Sequence, residues 1–231
     1  MSWWLAALFG FGALCFAIGS LPLFFDHVAP GTVATMFFVG SIFFTTAAYL
    51  QFHETLTAPA GVLPESRPRR RRPLRGAPGR IDWWATAVQL VGTVLFNVST
   101  FAATQVDLGE VQERRLIWGP DLAGSVCFLI ASWLAYSEVN RGIVPRPDRS
   151  VGWRIAALNL VGSVAFGAAA IAARYLRTTD EPANITLVNL GTFVGAICFL
   201  VGAALLPVES AKDDAGLDEE LRLGGPAPTA P

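Results

Sequence analysis

Gln89-Leu90-Val91-Gly92-Thr93-Val94-Leu95-Phe96 returns seventy residues later as Asn159-Leu160-Val161-Gly162-Ser163-Val164-Ala165-Phe166. The shared unit is a glycine, a small residue, two variable residues and a phenylalanine. It occurs four more times, as Gly12-Ala13-Leu14-Cys15-Phe16, Gly40-Ser41-Ile42-Phe43-Phe44, Gly124-Ser125-Val126-Cys127-Phe128 and Gly195-Ala196-Ile197-Cys198-Phe199. Recurrence of a short unit is the mark of a repeat architecture.

Each copy sits within a long apolar run: Trp3–Phe25, Gly31–Phe52, Trp83–Gln105, Trp118–Tyr136, Trp153–Ala173 and Ala183–Pro207. About 20 apolar residues cross a hydrocarbon core of roughly 30 Å as a helix. Runs of this length without period-2 alternation read as helices, because in lipid every backbone polar group has to be satisfied internally. The first run has no basic n-region and no small-residue cleavage site after it, so it reads as a retained span. Pro22 is expected to kink or end it. The expected fold is therefore all-α: a polytopic bundle of six transmembrane helices made of three tandem helical hairpins, which suggests pseudo-threefold symmetry, a tight six-helix bundle without it being the alternative.

The flanks separate odd from even runs. A tryptophan lies nine residues before the glycine in the odd runs (Trp3, Trp83, Trp153), and a glutamate lies fourteen after it in the even ones (Glu54, Glu138, Glu209). At 1.5 Å per residue these offsets are about 13 Å and about 21 Å, which puts all six glycines near mid-bilayer. Gly12, Gly40, Gly92, Gly124, Gly162 and Gly195 thus read as a helix-packing motif, since small residues let helices approach closely in lipid. Each phenylalanine, four residues on, leans back over its glycine.

Composition agrees. Hydrophobic residues make up 53% of the chain and charged ones only 15%, against about a quarter in an average soluble protein. Seven arginines (Arg67, Arg69, Arg70, Arg71, Arg72, Arg75, Arg80) fall between runs 2 and 3, and four (Arg141, Arg146, Arg149, Arg154) between runs 4 and 5. The opposite connections hold only Arg114, Arg115, Arg174 and Arg177. The positive-inside bias then places both termini in the cytoplasm of a cell membrane protein. The chain divides into hairpin 1 (residues 1–54), a polybasic loop (55–81), hairpin 2 (82–138), a loop (139–150), hairpin 3 (151–209) and an acidic tail (210–231) expected to be disordered.

Candidate chemistry is sparse. Cys15, Cys127 and Cys198 each follow a repeat glycine by three residues and share one expected depth. Thiolates favour soft metals, but no histidine lies at that level, and a small polarizable packing residue is the plainer reading. Glu54, Glu138 and Glu209 end the even runs on the cytoplasmic side, either as an acidic ring at a mouth or as partners of loop arginines. Gln89, Asn97, Ser99, Thr100, Ser132, Asn159 and Asn189 lie within the runs and are expected to hydrogen-bond across helices. No ionisable residue lies deep in a run, Asp121 and Arg154 being near ends, which counts against a proton-driven pump. His27 and His53 lie in boundary segments. Without a phosphate-binding loop, zinc-ligand spacing or nucleophile elbow, an enzyme reading has no anchor. No cofactor and no nucleic acid is expected. The partner is the bilayer, with anionic lipid a candidate at Arg67, Arg69, Arg70, Arg71, Arg72 and Arg75.

The segments Phe38-Val39-Gly40-Ser41-Ile42-Phe43-Phe44 and Leu122-Ala123-Gly124-Ser125-Val126-Cys127-Phe128 resemble the YrhK-like membrane domain, and the whole chain looks like six-span membrane proteins of actinobacteria. The resemblance implies a short two-span hairpin and brings no activity with it. The functional expectation is a non-enzymatic scaffold or lipid- or partner-binding bundle; the alternative is a passive channel or permease for a small neutral solute, lined by the Ser, Thr, Asn and Gln of the repeats.

Overall fold

The structure is a computed structural model, described over residues 3–57, 80–105, 107–140, 150–174 and 183–223, with 213–223 as backbone alone. Arg67 to Arg75, Arg141, Arg146, Arg149, Arg177 and residues 224–231 lie outside the described residues. Every element present among those described is helical: α1 (Trp3–Gly19), α2 (Pro22–Phe25), α3 (Pro30–Thr57), α4 (Ile81–Ala103), α5 (Glu110–Glu113), a π-turn (Arg114–Trp118), α6 (Gly119–Val139), α7 (Val151–Ala172) and α8 (Ile185–Leu223). Five helical stretches are long and apolar enough to cross a membrane: Pro30–Thr57, Ile81–Ala102, Glu110–Val139, Val151–Ala172 and Ile185–Lys212.

The first run departs from its expected extent, Trp3–Phe25. Helix α1 stops at Gly19 after 17 residues, about 25 Å of rise and at the short end of what spans a bilayer. Pro22 is the cause, because it has no N–H and its ring clashes with the carbonyl four residues back. Ser20 closes the end, its hydroxyl donating to the Phe16 carbonyl at 2.8 Å. The short α2 then begins at Pro22.

The fourth run starts earlier than Trp118, at Glu110. Pro120 cannot donate to a carbonyl in the preceding turn. The helix relaxes there into the π-turn, with the Gly119 N–H donating to the Arg114 carbonyl, and Ser99 of α4 donates to the nearby Ile117 carbonyl at 2.9 Å. The acidic tail is also corrected over its first part. Residues 210–223 are not disordered but continue α8 to Leu223. That stretch is rich in Ala, Leu and Glu, which propagate a helix at little entropic cost.

The long helices pack in the cyclic order α1, α3, α4, α6, α7, α8 and back to α1. All six Gly-x-x-x-Phe segments share one exposure pattern: buried, buried, exposed, partly buried, buried. The second position (Ala13, Ser41, Thr93, Ser125, Ser163, Ala196) is at most 2% exposed, whereas the third (Leu14, Ile42, Val94, Val126, Val164, Ile197) is 36% to 56% exposed. Successive residues are 100° apart on a helix, so a single orientation about the helix axis satisfies all six segments.

The six phenylalanines, 5% to 8% exposed, form the core. Phe16, Phe96 and Phe166 make one triangle of rings, with centroids 6.4, 6.0 and 6.1 Å apart. Phe44, Phe128 and Phe199 make a second, at 6.4, 6.0 and 5.8 Å. Three further pairs join the triangles: Phe16–Phe44 at 5.7 Å, Phe96–Phe128 at 5.2 Å and Phe166–Phe199 at 5.7 Å. The rings are mostly edge-to-face, the arrangement the aromatic quadrupole favours.

Candidate functional site

The glycines set the approach that lets those rings meet. A Cβ on Gly12 would lie 3.0 Å from the Gly40 carbonyl oxygen, and one on Gly40 would lie 3.1 Å from that of Gly12. The same reciprocal contact joins Gly92 with Gly124 and Gly162 with Gly195. Each pair belongs to consecutive long helices, α1/α3, α4/α6 and α7/α8.

Polar groups concentrate between these pairs. Where α3 meets α4, the Ser41 hydroxyl lies 2.5 Å from Asn97 Oδ1 and 2.8 Å from the Thr100 hydroxyl, and Asn97 Nδ2 donates to the Thr45 hydroxyl at 2.6 Å. Gln89 donates to Gln51 one layer away, at 3.2 Å. Where α6 meets α7, Ser132 and Ser163 share a hydrogen bond of 2.7 Å, and Trp118 Nε1 donates to the Ala170 carbonyl at 3.0 Å. The Trp118 indole thereby satisfies a carbonyl in the last turn of α7. Repeat-equivalent amides diverge. Gln89 reaches across to α3, whereas Asn159 turns to α8, where its Oδ1 lies 2.9 Å from where a Cβ of Gly202 would be. Ser41 and Thr45 went unremarked in the sequence, being ordinary hydroxyls until placed opposite Asn97.

The axis between the six rings holds a void of about 20 Å³, lined by Phe16, Ser41, Phe44, Thr93, Phe96, Phe128 and Phe166. A buried water needs two to four polar partners. Here the walls are mostly phenyl, and the two hydroxyls already donate to Phe38 and Leu90 carbonyls. The void is therefore an apolar packing defect. The Ser125 hydroxyl, equivalent in position to Ser41, is buried with no hydrogen-bond partner.

At the end where α4 and α7 begin, Arg80 pairs with Asp82, and hydrogen bonding to that carboxylate raises the Arg80 pKa above its ordinary value. Glu138, at the end of α6, lies within electrostatic reach of both. Glu209 of α8 abuts Gly152 in the first turn of α7. A carboxylate at its own helix C-terminus opposes the macrodipole, but the N-terminus of an antiparallel neighbour offsets this. That accounts for Glu138, whereas Glu209 lies well inside α8, which runs on to Leu223, and simply faces the first turn of α7. Glu54 is partly buried near the end of α3.

Cys15, Cys127 and Cys198 are free and partly buried. Their Cβ atoms face Gly40, Gly92 and Gly162 at 2.8, 2.9 and 3.1 Å from where a Cβ on each glycine would lie. Each cysteine thus fills the notch of its own helix pair. Among the described residues no three of His, Cys, Asp or Glu are grouped to hold a metal ion. Asn189 is partly buried, and His27 and His53 are exposed.

Helices of this length and apolarity, arranged around a phenylalanine core, define an all-helical membrane protein. No family model, curated protein or solved structure matches the chain.

Proposed function

We propose that this protein is a six-span bundle of three hairpins in the cell membrane, with both termini cytoplasmic, that works as a non-enzymatic scaffold or lipid- or partner-binding unit. The observation that carries this reading is the pair of phenyl triangles. Six rings from six helices fill the axis at the level of the glycine pairs, where a solute path would have to run. The common exposure pattern of the six segments supports three copies of one hairpin. At 17 residues, α1 meets the lower limit for a span and completes the ring by packing against both α3 and α8. Membership of a YrhK-like group is part of this proposal and rests on the Gly-Ser-x-x-Phe segments alone. The polar side chains, which would line a permease, are engaged with one another between helix pairs.

The test is reconstitution of the full chain into liposomes of phosphatidylethanolamine and phosphatidylglycerol. The expected result is ion leak and glycerol-driven swelling no faster than in empty liposomes. Glycerol flux that disappears on Ser125→Trp or Ser163→Trp substitution would instead establish the permease reading.

A further inference from the structure

We propose that the outer groove between α7 and α8 binds one anionic diacyl phospholipid, its phosphate held by Arg154 and Lys212. The inference rests on the membrane reading above and adds a ligand to it. The groove has a volume of about 420 Å³ and is lined by Trp153, Arg154, Ala157, Leu158 and Val161 of α7 and Val201 and Leu205 of α8. Its walls are apolar along their length, and Val161 and Val201 are open to the surroundings. From Trp153 to Val161 the trough runs about 12 Å, a length suited to an acyl chain lying parallel to the helices.

Charge chooses the headgroup. Arg154 is exposed at the end where α7 begins and forms no ion pair among the described residues. Lys212, the single lysine of the chain, is also exposed there and has no ion-pair partner among the described residues. It continues the stripe Val201, Leu205, Val208 at helical spacing, so it stands on the groove's side of α8, about 10 Å beyond Leu205. Of the acidic residues of α8 nearest Lys212, Glu209 is turned to Gly152, and Asp213 and Asp214 follow Lys212 at about 100° and 200° around the helix. Gly152 lies on the far side of α7 from Arg154, two residues being 200° apart on a helix. The Trp153 indole N–H, at the same end, is buried without a hydrogen-bond partner. An apolar trough ending in Arg154 and Lys212, neither of them ion-paired among the described residues, is complementary to a phosphodiester with acyl tails.

The experiment is native mass spectrometry of the full chain in detergent, titrated with dioleoyl phosphatidylglycerol or dioleoyl phosphatidylcholine. One phosphatidylglycerol is expected to stay bound under conditions that strip phosphatidylcholine. Arg154→Ala and Lys212→Ala should each weaken that binding roughly fivefold, while Arg154→Lys retains most of it. Val161→Trp, which fills the trough, should weaken both lipids alike. Replacing Arg69, Arg70, Arg71 and Arg72 together by Ala should leave the tight site in place, and millimolar glycerol phosphate should not displace the lipid. Binding that ignores headgroup, that survives Arg154→Ala, that follows the polybasic loop, or that yields to glycerol phosphate overturns the proposal. A chain that stays soluble without detergent and takes up neither lipid would sink the membrane reading itself, a distinguishable result.

Discussion

Gly92 and Gly124 face each other so closely that a Cβ built on either would come within 3.1 to 3.2 Å of the other's carbonyl oxygen. Backbone, which cannot rotate away, is the obstacle, and the ring of Phe96 or Phe128 closes the remaining side. Gly92→Ala and Gly124→Ala should therefore each destabilise the protein by about 1–3 kcal/mol through overpacking. Gly167, mid-helix in α7, has nothing within 4 Å of its hypothetical Cβ, so Gly167→Ala should be neutral or stabilising by up to about 1 kcal/mol. Unfolding in mixed detergent–SDS micelles measures both. Equal effects at Gly92 and Gly167 would mean that close approach is not what the glycines provide.

The phenyl prism predicts a second contrast. Phe96 touches the rings of Phe16, Phe128 and Phe166, and truncation to Ala should cost about 3–5 kcal/mol. Phe101 lies outside the prism, is 53% exposed and meets the ring of Phe38. Phe101→Leu, on a face turned to lipid, should leave the melting temperature within a few degrees of the parent.

Two equivalent serines should respond with opposite sign. Ser41 meets Asn97 and Thr100, so Ser41→Ala takes the hydroxyl from Asn97 Oδ1, while Thr100 keeps the Phe96 carbonyl, and lowers stability. Ser125 has no partner, and removing an unsatisfied buried hydroxyl relieves a desolvation cost. Ser125→Ala is expected to hold or raise the thermal midpoint, read from the same detergent-solubilised protein.

The Asn97–Thr45 contact, at 2.6 Å, is suited to a double-mutant cycle. Asn97→Ala and Thr45→Ala should couple by about 0.6 kcal/mol, with an upper range near 1.7 kcal/mol, as interhelical hydrogen bonds in membranes do. A coupling of zero would make the α3–α4 network incidental to stability.

Zinc or cuprous ion should not raise the melting temperature of the wild-type chain. Replacing Cys15, Cys127 and Cys198 together by Ala keeps the Cβ that fills each notch and should be tolerated. A metal-dependent stabilisation lost in the triple variant would restore the soft-metal reading.

How far the chain's own spelling reached follows from these contacts. Long apolar runs declare helices, and a glycine four residues before a phenylalanine places both on one face. Nothing in the spelling says which neighbour that face meets. Gln89 and Asn159 occupy the same position in the motif yet turn to different helices, because their surroundings, Gln51 in one case and Gly202 in the other, come from elements distant in the chain. The end of α1 was half legible: Pro22 announced a break, but the two residues between it and Gly19 could not be divided between helix and turn without seeing Ser20 close the last turn. The extension of α8 was missed for another reason. Hydropathy marks where lipid ends, not where a helix does, and a charged run with good helix formers continues past the interface.

Because α1 packs against α8 as well as α3, the circle of helices is closed by the earliest and the latest of the long helices described. Domains and their parts emerge from the ribosome N-terminal end first, so α1 waits with one flank bare until residues 185 onward have been translated. A nascent chain stopped before α8 is an open arc, with Phe44, Phe128 and Phe166 deprived of their ring contacts to Phe199. Closure of the circle thus waits on α8.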